Sequence, residues 1–304
     1  MKVLISTSTF GEFDSEPLEI LKRAGLEFKL NPYGRKLEKK EIVELAIDTV
    51  GIIAGTEPLS RDVLEKLKNL KAISRCGVGM DSVDLKAAKE LGIKVYNTPE
   101  APTQAVAELT LGLIISCLRK IPQNDREIKQ GQWPKLTGEL LAGKTVGIIG
   151  LGRIGKSVCR LLKPFGVNIL AYDIAPQPEN LGQKMVSLEK LLTSSDIITL
   201  HLPGEAGCPI DEKAIAKMKN GAFLINAARG NLIDENALYE ALKSGKLSLA
   251  AIDTPSEEPY KGKLRELDNV VLTAHIGSYA KEARIEMEKQ AVINLLDGLN
   301  IKTI

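Results

Sequence analysis

The sequence is poor in the residues that most often build metal sites and disulfide frameworks. It contains two histidines and four cysteines in 304 residues, and the cysteines show neither CxxC spacing nor an accompanying histidine cluster. We therefore expect no bound metal and no set of disulfides. The four thiols, Cys76, Cys117, Cys159 and Cys208, are expected to be buried or incidental.

Long apolar runs and a strong excess of charge are also missing. The longest apolar stretch, Leu109 to Leu118, is far shorter than the roughly 20 residues that span a bilayer. The sequence has 41 basic and 39 acidic residues and no dense basic run, so we expect no nucleic-acid partner. The first residues, MKVLIS, are typical of a strand rather than of a secretory signal. These features favour a cytoplasmic protein with a small-molecule substrate.

What the sequence does have is an alternation of short β-branched runs and amphipathic helical stretches. The runs VLIS, VGIIAG and KAISRC are each followed by a segment of helical periodicity. This alternation predicts βαβ units around a parallel sheet, which is the α/β class. The pattern changes after Pro102, where residues 103–121 are predicted to form one long apolar helix, and a polar segment with the single Trp133 follows.

The βαβ pattern restarts at Lys144, so we expect two doubly wound parallel-sheet domains. The first is predicted to cover residues 1–98 and 279–304, with the final helix, Ala280 to about Leu299, packed back against it. The second is predicted to cover residues 99–278 and to contain a helix from Gly155 to about Phe165.

A glycine-rich turn indicates a dinucleotide site in the second domain. Gly150, Gly152 and Gly155 form G-x-G-x-x-G between the apolar run TVGII and a predicted helix. The first glycine permits a tight turn, the second admits a pyrophosphate, and the third allows close packing of helix on strand. Asp173 ends the next predicted strand, 18 positions after Gly155, where a carboxylate binds the adenosine ribose. There are two alternatives: the glycine turn belongs to an ordinary α/β protein and binds no ligand, or it binds the adenosyl sulfonium cofactor of a methyltransferase.

Polar side chains follow several predicted strands of the same domain. His201 and His275 each end an apolar run, and Arg229 and Glu258 follow two others. A histidine that follows a strand is more often structural than catalytic, but His275 shares its half of the domain with the arginine and the carboxylate. Reduction of a 2-oxo acid needs a bidentate cation for the substrate carboxylate, a proton donor for the carbonyl oxygen, and an acid beside the imidazole.

Several motifs resemble those of the D-isomer-specific 2-hydroxyacid dehydrogenase family. They are GLGRIG, AYD, NAARGNLIDENAL, AIDTPSEEP and TAHIGSYA, and RCGVGMDSVDLKAAKELGIKVYNTP is similar to the D-3-phosphoglycerate dehydrogenase branch. The resemblance implies a flavodoxin-like substrate domain and a Rossmann-type NAD domain. It further implies a homodimer built by the helix after Pro102 and the arm around Trp133, and a short form without a regulatory domain.

The resemblance also implies roles for individual residues. His275 would be the general acid and base, Glu258 its partner, and Arg229 the cation that binds the substrate. The backbone around Val78 and Gly79 would hold the substrate carboxylate. The implied cofactor contacts are Gly150, Gly152, Arg153, Ile154, Gly155, Asp173, Leu202, Pro203, Ala227, Ala228, Asp253 and Gly277, with Arg153 and Ile154 at the pyrophosphate and Asp253 at the nicotinamide carboxamide.

Three departures from the family pattern concern residues near these sites. Thr254 and Pro255 stand where the family commonly has a valine and an aromatic, and Ala274 stands where it usually has proline. The loop after Pro203, GEAGCPID, lacks the usual threonine-rich segment. The motif residues Arg229, Glu258 and His275 are nevertheless all present.

The substrate is the least constrained feature. Arg75 directly precedes the loop CGVG, and a cation there favours a phosphate, hence oxidation of D-3-phosphoglycerate to 3-phosphohydroxypyruvate. Arg75 could instead pair with Asp81 or Glu100. A glyoxylate or hydroxypyruvate reductase is the alternative within the enzyme class, and an NAD-sensing, corepressor-like binding protein is the alternative outside it. Because Ile174, Ala175 and Pro176 supply no cation beside Asp173, we expect NAD rather than its 2′-phosphorylated form.

Overall fold

The computed structural model describes residues 1–175, 177–178 and 180–302. The chain divides into two compact units, one formed by Met1–Pro102 with Ser278–Ile304 and the other by Thr103–Gly277. These divisions fall four residues and one residue from the boundaries expected from the sequence. Thr303 and Ile304, which were assigned to the first domain, lie outside the described residues.

The first unit contains a five-stranded parallel sheet. Its elements are β1 (Lys2–Ile5), α1 (Glu16–Arg23), β2 (Glu27–Leu30), α2 (Lys39–Ala46), β3 (Gly51–Ala54), α3 (Arg61–Leu64), β4 (Ala72–Arg75), α4 (Leu85–Glu90), β5 (Lys94–Asn97) and the last helix of the chain, Lys281–Gly298. The strand order is β2-β1-β3-β4-β5, and every pair is parallel. The last helix packs against β3, β4 and β5 and buries Met287, Ala291, Val292 and Leu295 in the core on that face.

The second unit contains a seven-stranded parallel sheet. Its elements are α5 (Thr103–Leu118), α6 (Ile121–Lys129), β6 (Thr145–Ile149), α7 (Arg153–Leu162), β7 (Asn168–Tyr172), β8 (Gln183–Met185), α8 (Leu188–Ser194), β9 (Ile197–Leu200), α9 (Glu212–Lys217), β10 (Ala222–Asn226), α10 (Glu235–Lys243), β11 (Leu247–Ile252) and β12 (Val270–Leu272), so the last helix of the chain is α11. The order is β12-β11-β10-β9-β6-β7-β8. The direction of winding therefore reverses between β6 and β9, and such a reversal is where open parallel sheets bind ligands.

The predicted α/β class with two doubly wound parallel sheets is confirmed. Fully buried strands such as β3, β9 and β10 account for the continuous apolar runs of the sequence, because helices cover both faces of these sheets. Among the described residues, no helix is long and apolar enough to cross a membrane.

Two helix predictions need correction. Residues 103–121 form two helices rather than one, because α5 ends at Leu118 and Lys120 adopts a left-handed conformation with φ 52°. Pro122 has no N–H to donate to Leu118, and the carbonyl of Leu118 instead accepts from the amide of Glu139 at 2.8 Å. Likewise α7 begins at Arg153 and ends at Leu162, and a 3-10 turn with Pro164 continues to Phe165.

The four thiols are all free, and three of them are buried. Burial raises the pKa of Cys117 to about 12 and those of Cys76 and Cys159 to about 11, so these thiols stay protonated at neutral pH. The expectation of buried thiols is confirmed for these three, whereas Cys208 is exposed.

Candidate active site

The glycine-rich turn lies between β6 and α7, at the reversal of the sheet. Gly150 has φ +97°, which favours glycine, and its amide donates to the carbonyl of Tyr172 at 2.8 Å. A Cβ on Gly155 would lie 2.1 Å from the carbonyl oxygen of Gly150, so only glycine lets the helix approach the strand this closely. A Cβ on Gly152 would meet nothing within 4 Å, and this residue is exposed. The turn thus leaves its open side at Gly152, where an anion can approach the first amides of α7.

Asp173 lies directly beside this turn. Its Oδ2 atom accepts a hydrogen bond from the amide of Leu151 at 2.6 Å, and its Oδ1 atom accepts one from the amide of Ala175 at 2.9 Å. Ile174 is exposed, and Pro176 lies outside the described residues. The carboxylate therefore stands at the end of β7 next to the glycine loop, which is the arrangement that a bound adenosine ribose requires.

The other residues predicted to contact the cofactor are distributed around the same edge of the sheet. The Leu202 side chain would lie 2.9 Å from a Cβ on Gly150, and Pro203 is exposed. Ala227 and Ala228 are buried just after β10. Arg153 is exposed and Ile154 half-buried at the start of α7. Their contacts with a cofactor remain predictions.

His201 follows β9 and has the properties of a structural histidine. Its Nε2 atom lies 3.1 Å from the hydroxyl of Thr199. Its Nδ1 atom is buried and has no hydrogen-bond partner within the described part of the chain. Burial lowers the pKa of His201 to about 3, so its ring is neutral near pH 7 and is a poor proton donor.

Three adjacent strands bring Arg229, Glu258 and His275 to one edge of the sheet. Asn226 of β10 is in register with Ile252 of β11, which is in register with Leu272 of β12. Arg229 and His275 each follow the end of their strand by three residues. The Nδ1 atom of His275 lies 2.7 Å from Oε1 of Glu258, and both side chains are partly exposed to solvent. With Nδ1 engaged by the carboxylate, Nε2 is the ring nitrogen that could exchange a proton with a substrate, and this role remains a prediction.

Asp253 holds the loop that presents His275. The carboxylate is fully buried, and it accepts hydrogen bonds from the Thr273 hydroxyl at 2.5 Å and from the amides of Ile276 at 2.8 Å and Gly277 at 2.9 Å. The amide of His275 donates to the backbone carbonyl of Asp253 at 2.8 Å. These bonds hold His275 at φ 53°, a conformation that non-glycine residues rarely adopt. The sequence predicted Asp253 only as a cofactor contact and missed this role.

Asn226 and Gly230 shape the loop that carries Arg229. The buried Asn226 side chain accepts from the amide of Ala228 at 3.0 Å and donates to the carbonyl of Arg229 at 2.8 Å. A Cβ on Gly230 would lie 2.3 Å from the carbonyl oxygen of Pro255, so the Arg229 loop packs directly on the loop that leads to Glu258. Nη1 of Arg229 donates to the carbonyl of Ala228 at 2.7 Å. A polar residue that ends a wholly apolar strand, as Asn226 does, is the signal that would have indicated its role.

The residues predicted to bind substrate in the first unit lie at the end of β4 and in the loop after it. Arg75 is half-buried, and its Nη1 atom donates to the carbonyl of Cys76 and lies across Gly77. Val78 is exposed, and its carbonyl accepts from the Asn97 side chain at 2.8 Å. Gly79 is half-buried in the same loop. Arg75 therefore folds onto its own loop, and its contact with a substrate remains a prediction.

Comparison with known proteins identifies the family. Residues 111–277 match the family described as D-isomer specific 2-hydroxyacid dehydrogenase, NAD binding domain. The chain belongs to the D-isomer-specific 2-hydroxyacid dehydrogenase family. NAD is the cofactor of the matched domain, and the expected membership of an NAD-dependent oxidoreductase family is confirmed.

Three similar proteins each cover more than four fifths of this chain. A D-3-phosphoglycerate dehydrogenase of Archaeoglobus fulgidus is 37% identical over 99% of this chain and 58% of its own length, so the chain spans less than two thirds of that relative. A hydroxypyruvate reductase of Thermotoga maritima is 41% identical over 87% of this chain and 90% of its own. The crystal structure of the TT0316 protein of Thermus thermophilus has a TM-score of 0.91 at 36% identity, covering 99% of this chain and 97% of its own.

Proposed function

We propose that the protein is an NAD-dependent D-2-hydroxyacid dehydrogenase that oxidises D-3-phosphoglycerate to 3-phosphohydroxypyruvate, the chemistry that opens serine biosynthesis. The observation that carries the reaction class is the 2.7 Å contact between His275 and Glu258 at the sheet edge where Arg229 also lies. The observation that favours this substrate is the similarity to D-3-phosphoglycerate dehydrogenases.

Each member of this group has a distinct task in the proposal. Arg229 binds the substrate carboxylate, because a guanidinium offers two parallel N–H donors. In the oxidation, Nε2 of His275 accepts the proton of the 2-hydroxyl group, and in the reduction it returns that proton to the carbonyl oxygen. Glu258 orients the imidazole through Nδ1. NAD, when bound, supplies the nicotinamide ring that exchanges a hydride with C2.

The two units take different tasks in this proposal. The second unit binds NAD through Gly150, Gly152, Arg153, Ile154, Gly155, Asp173, Leu202, Pro203, Ala227, Ala228, Asp253 and Gly277. The first unit binds substrate through Arg75 and through the backbone of Val78 and Gly79. The open face at Gly152 and the carboxylate of Asp173 beside the loop support the cofactor assignment.

A glyoxylate or hydroxypyruvate reductase is the second candidate. Nη1 of Arg75 donates to the carbonyl of Cys76 in its own loop, and the hydroxypyruvate reductase of Thermotoga maritima is similar to this chain over most of both sequences. Buried Glu57, which follows β3 beside β4, also adds a carboxylate rather than a cation near the end of the sheet. These features support the second candidate, whereas the similarity to D-3-phosphoglycerate dehydrogenases supports the first.

Specificity constants for phosphohydroxypyruvate, hydroxypyruvate and glyoxylate with NADH separate the two candidates. If Arg75 binds the phosphate, Arg75→Ala raises KM for phosphohydroxypyruvate by roughly 10-fold to 150-fold, the equivalent of one charge-assisted contact, and leaves KM for hydroxypyruvate little changed. A wild-type enzyme that prefers hydroxypyruvate or glyoxylate would assign the protein to the second candidate. Cofactor binding without turnover of any 2-oxo acid would indicate a sensor.

We also propose a homodimer that acts in the cytoplasm and binds no nucleic acid. Apolar side chains are exposed along α6 and the segment after it, with Trp133 81% and Leu140 74% exposed. Exposed apolar groups of this size favour an interface between subunits. Light scattering on wild type and on a Trp133→Lys, Leu140→Lys variant tests the assignment, and a monomeric wild type would refute it.

A further inference from the structure

The loop that carries Glu258 is not held in place by burial. Thr254 is buried, but Ser256, Glu257, Glu258 and Pro259 are all exposed. An exposed segment of this kind has many accessible conformations unless specific contacts restrict it. The 2.7 Å contact between Glu258 and His275 therefore depends on whatever anchors the loop.

Glu235 supplies two such anchors. Its Oε1 atom accepts from the amide of Ser256 at 2.7 Å, and its Oε2 atom accepts from the Tyr260 hydroxyl at 3.1 Å. Ser256 and Tyr260 each lie two residues from Glu258, on opposite sides. The carboxylate is not needed as the cap of α10, because Asp234 already accepts from two amides of its first turn.

Tyr260 is itself fixed on the far side of the loop. It is half-buried, and its hydroxyl accepts from the amide of Leu264 at 3.3 Å. A Cβ on Gly262 would lie 2.4 Å from this hydroxyl oxygen, so the ring packs directly on the backbone there. Burial and the nearby carboxylate of Glu235 raise the pKa of Tyr260 to about 12, so the hydroxyl keeps the proton that it donates.

We propose that Glu235 is a positioning residue, which holds the loop of residues 254–262 so that the carboxylate of Glu258 reaches His275. The inference rests on the proposed function, in which Glu258 orients the imidazole. Arg229 lies in the short segment between β10 and α10, and Glu235, the first residue of α10, follows that segment directly. Gly230 of the segment packs on Pro255. The segment that carries Arg229 thereby also fixes the placement of Glu258.

The test uses the whole 304-residue chain with Glu235→Ala, Glu235→Gln or Glu212→Ala. Glu212 is the matched control, because it is the exposed first residue of α9 and likewise follows an aspartate that caps its helix. We expect Glu235→Ala to lower kcat between about 10-fold and 100-fold, the loss typical of a misplaced reacting group, while the Kd for NADH stays within about twofold. Glu235→Gln should recover most of kcat, since its amide can still accept from Ser256 and donate to Tyr260.

A double-mutant cycle distinguishes positioning from general damage. If Glu235 acts through Glu258, then Glu235→Ala causes no further loss of kcat in a Glu258→Gln background. The proposal would be overturned if the losses of kcat from Glu235→Ala and Glu258→Gln were multiplicative in the double mutant. It would also be overturned if Glu212→Ala lowered kcat equally, or if Glu235→Ala left kcat unchanged.

Amide hydrogen exchange separates failure of this inference from failure of the proposed function. Full activity of Glu258→Gln would refute the role given to Glu258 in catalysis. The exchange rate of the Ser256 amide would then still show whether Glu235 holds the loop. Exchange at least about 10-fold faster in Glu235→Ala than in Glu212→Ala supports it, and equal rates overturn it.

Discussion

At the scale of single residues, the chain contains two histidines with opposite properties. His201 is buried at its Nδ1 atom and neutral near pH 7, whereas His275 is partly exposed and bonded to a carboxylate. A group that transfers a proton to a substrate has to reach it and to exchange its proton with solvent. These properties support the proposal of His275, rather than His201, as the acid and base.

Replacement of His275 by alanine is expected to lower kcat by roughly 10²-fold to 10⁴-fold, the usual contribution of a positioned general acid. Binding of NADH, measured by fluorescence titration, should survive, because the glycine loop follows a different strand. His201→Asn serves as the control and is expected to change the melting temperature more than kcat. Near-normal turnover of His275→Ala, together with loss in His201→Asn, would reverse the assignment.

Asp173 is expected to make the enzyme prefer NAD to its 2′-phosphorylated form. Its carboxylate stands beside the glycine loop, where it would repel an added phosphate, and neither Ile174 nor Ala175 offers a cation. Asp173→Asn keeps an oxygen that can accept from Leu151 but removes the charge. The preference for NAD, measured as kcat/KM with NAD divided by kcat/KM with its 2′-phosphorylated form, should fall at least about 10-fold in this variant. A wild-type enzyme that used both cofactors equally would contradict the prediction.

The positions of individual site residues could be proposed from the sequence where a local motif indicates them. The three glycines, Asp173 and the residues after β10, β11 and β12 could all be proposed from their place after apolar runs. The contacts by which Glu235 and Asp253 hold their loops could not be proposed from the sequence. Their partners, Ser256, Tyr260 and Thr273, are distant in sequence. Only the fold shows which amides and hydroxyls these carboxylates accept from.

At the scale of elements, the sequence predicted the buried strands and missed two of the four edge strands, β2 and β8. β3, β9 and β10 are buried at every residue and give uninterrupted apolar runs. β2 and β8 lie at the edges of their sheets and are partly exposed, so their sequences EFKL and QKM carry little apolar signal. The division of residues 103–121 into α5 and α6 was missed, although Pro122 was a visible reason for it.

Two glycines of the same turn allow a test of what each contributes to the connection of β6 with α7. Gly155→Ala would place a methyl group 2.1 Å from the carbonyl of Gly150, so the helix has to shift and the melting temperature should fall by several degrees. Gly152→Ala meets no neighbouring atom and has φ −67°, so the protein should fold as well as wild type.

The added methyl of Gly152→Ala would nevertheless occupy the open side on which the pyrophosphate is proposed to lie. We expect the Kd for NADH to rise at least about 10-fold in this variant with little change in melting temperature. Calorimetry and fluorescence titration on the two variants measure both quantities. Normal NADH affinity in Gly152→Ala would refute the proposal that the pyrophosphate lies at this position.

At the scale of the whole molecule, the two units differ in how the chain builds them. The second unit is one continuous segment, residues 103–277, with two apolar cores that cover both faces of its own sheet. The first unit needs α11 from the end of the chain to cover β3, β4 and β5. Since a domain that buries its own core can fold alone, the second unit satisfies this condition from contiguous residues.

We therefore expect a fragment of residues 103–277 to fold by itself and to bind NADH with a Kd within about 10-fold of that of the full chain. A fragment of residues 1–102 should fail to give a cooperative thermal transition, because it lacks the helix that buries one face of its sheet. The 103–277 fragment should not reduce any 2-oxo acid, since it lacks the Val78 and Gly79 backbone to which substrate binding is assigned. Circular dichroism, calorimetry and fluorescence titration test these expectations. An unfolded 103–277 fragment would mean that its core depends on residues outside the segment, whereas a folded fragment without NADH affinity would mean that the cofactor site does.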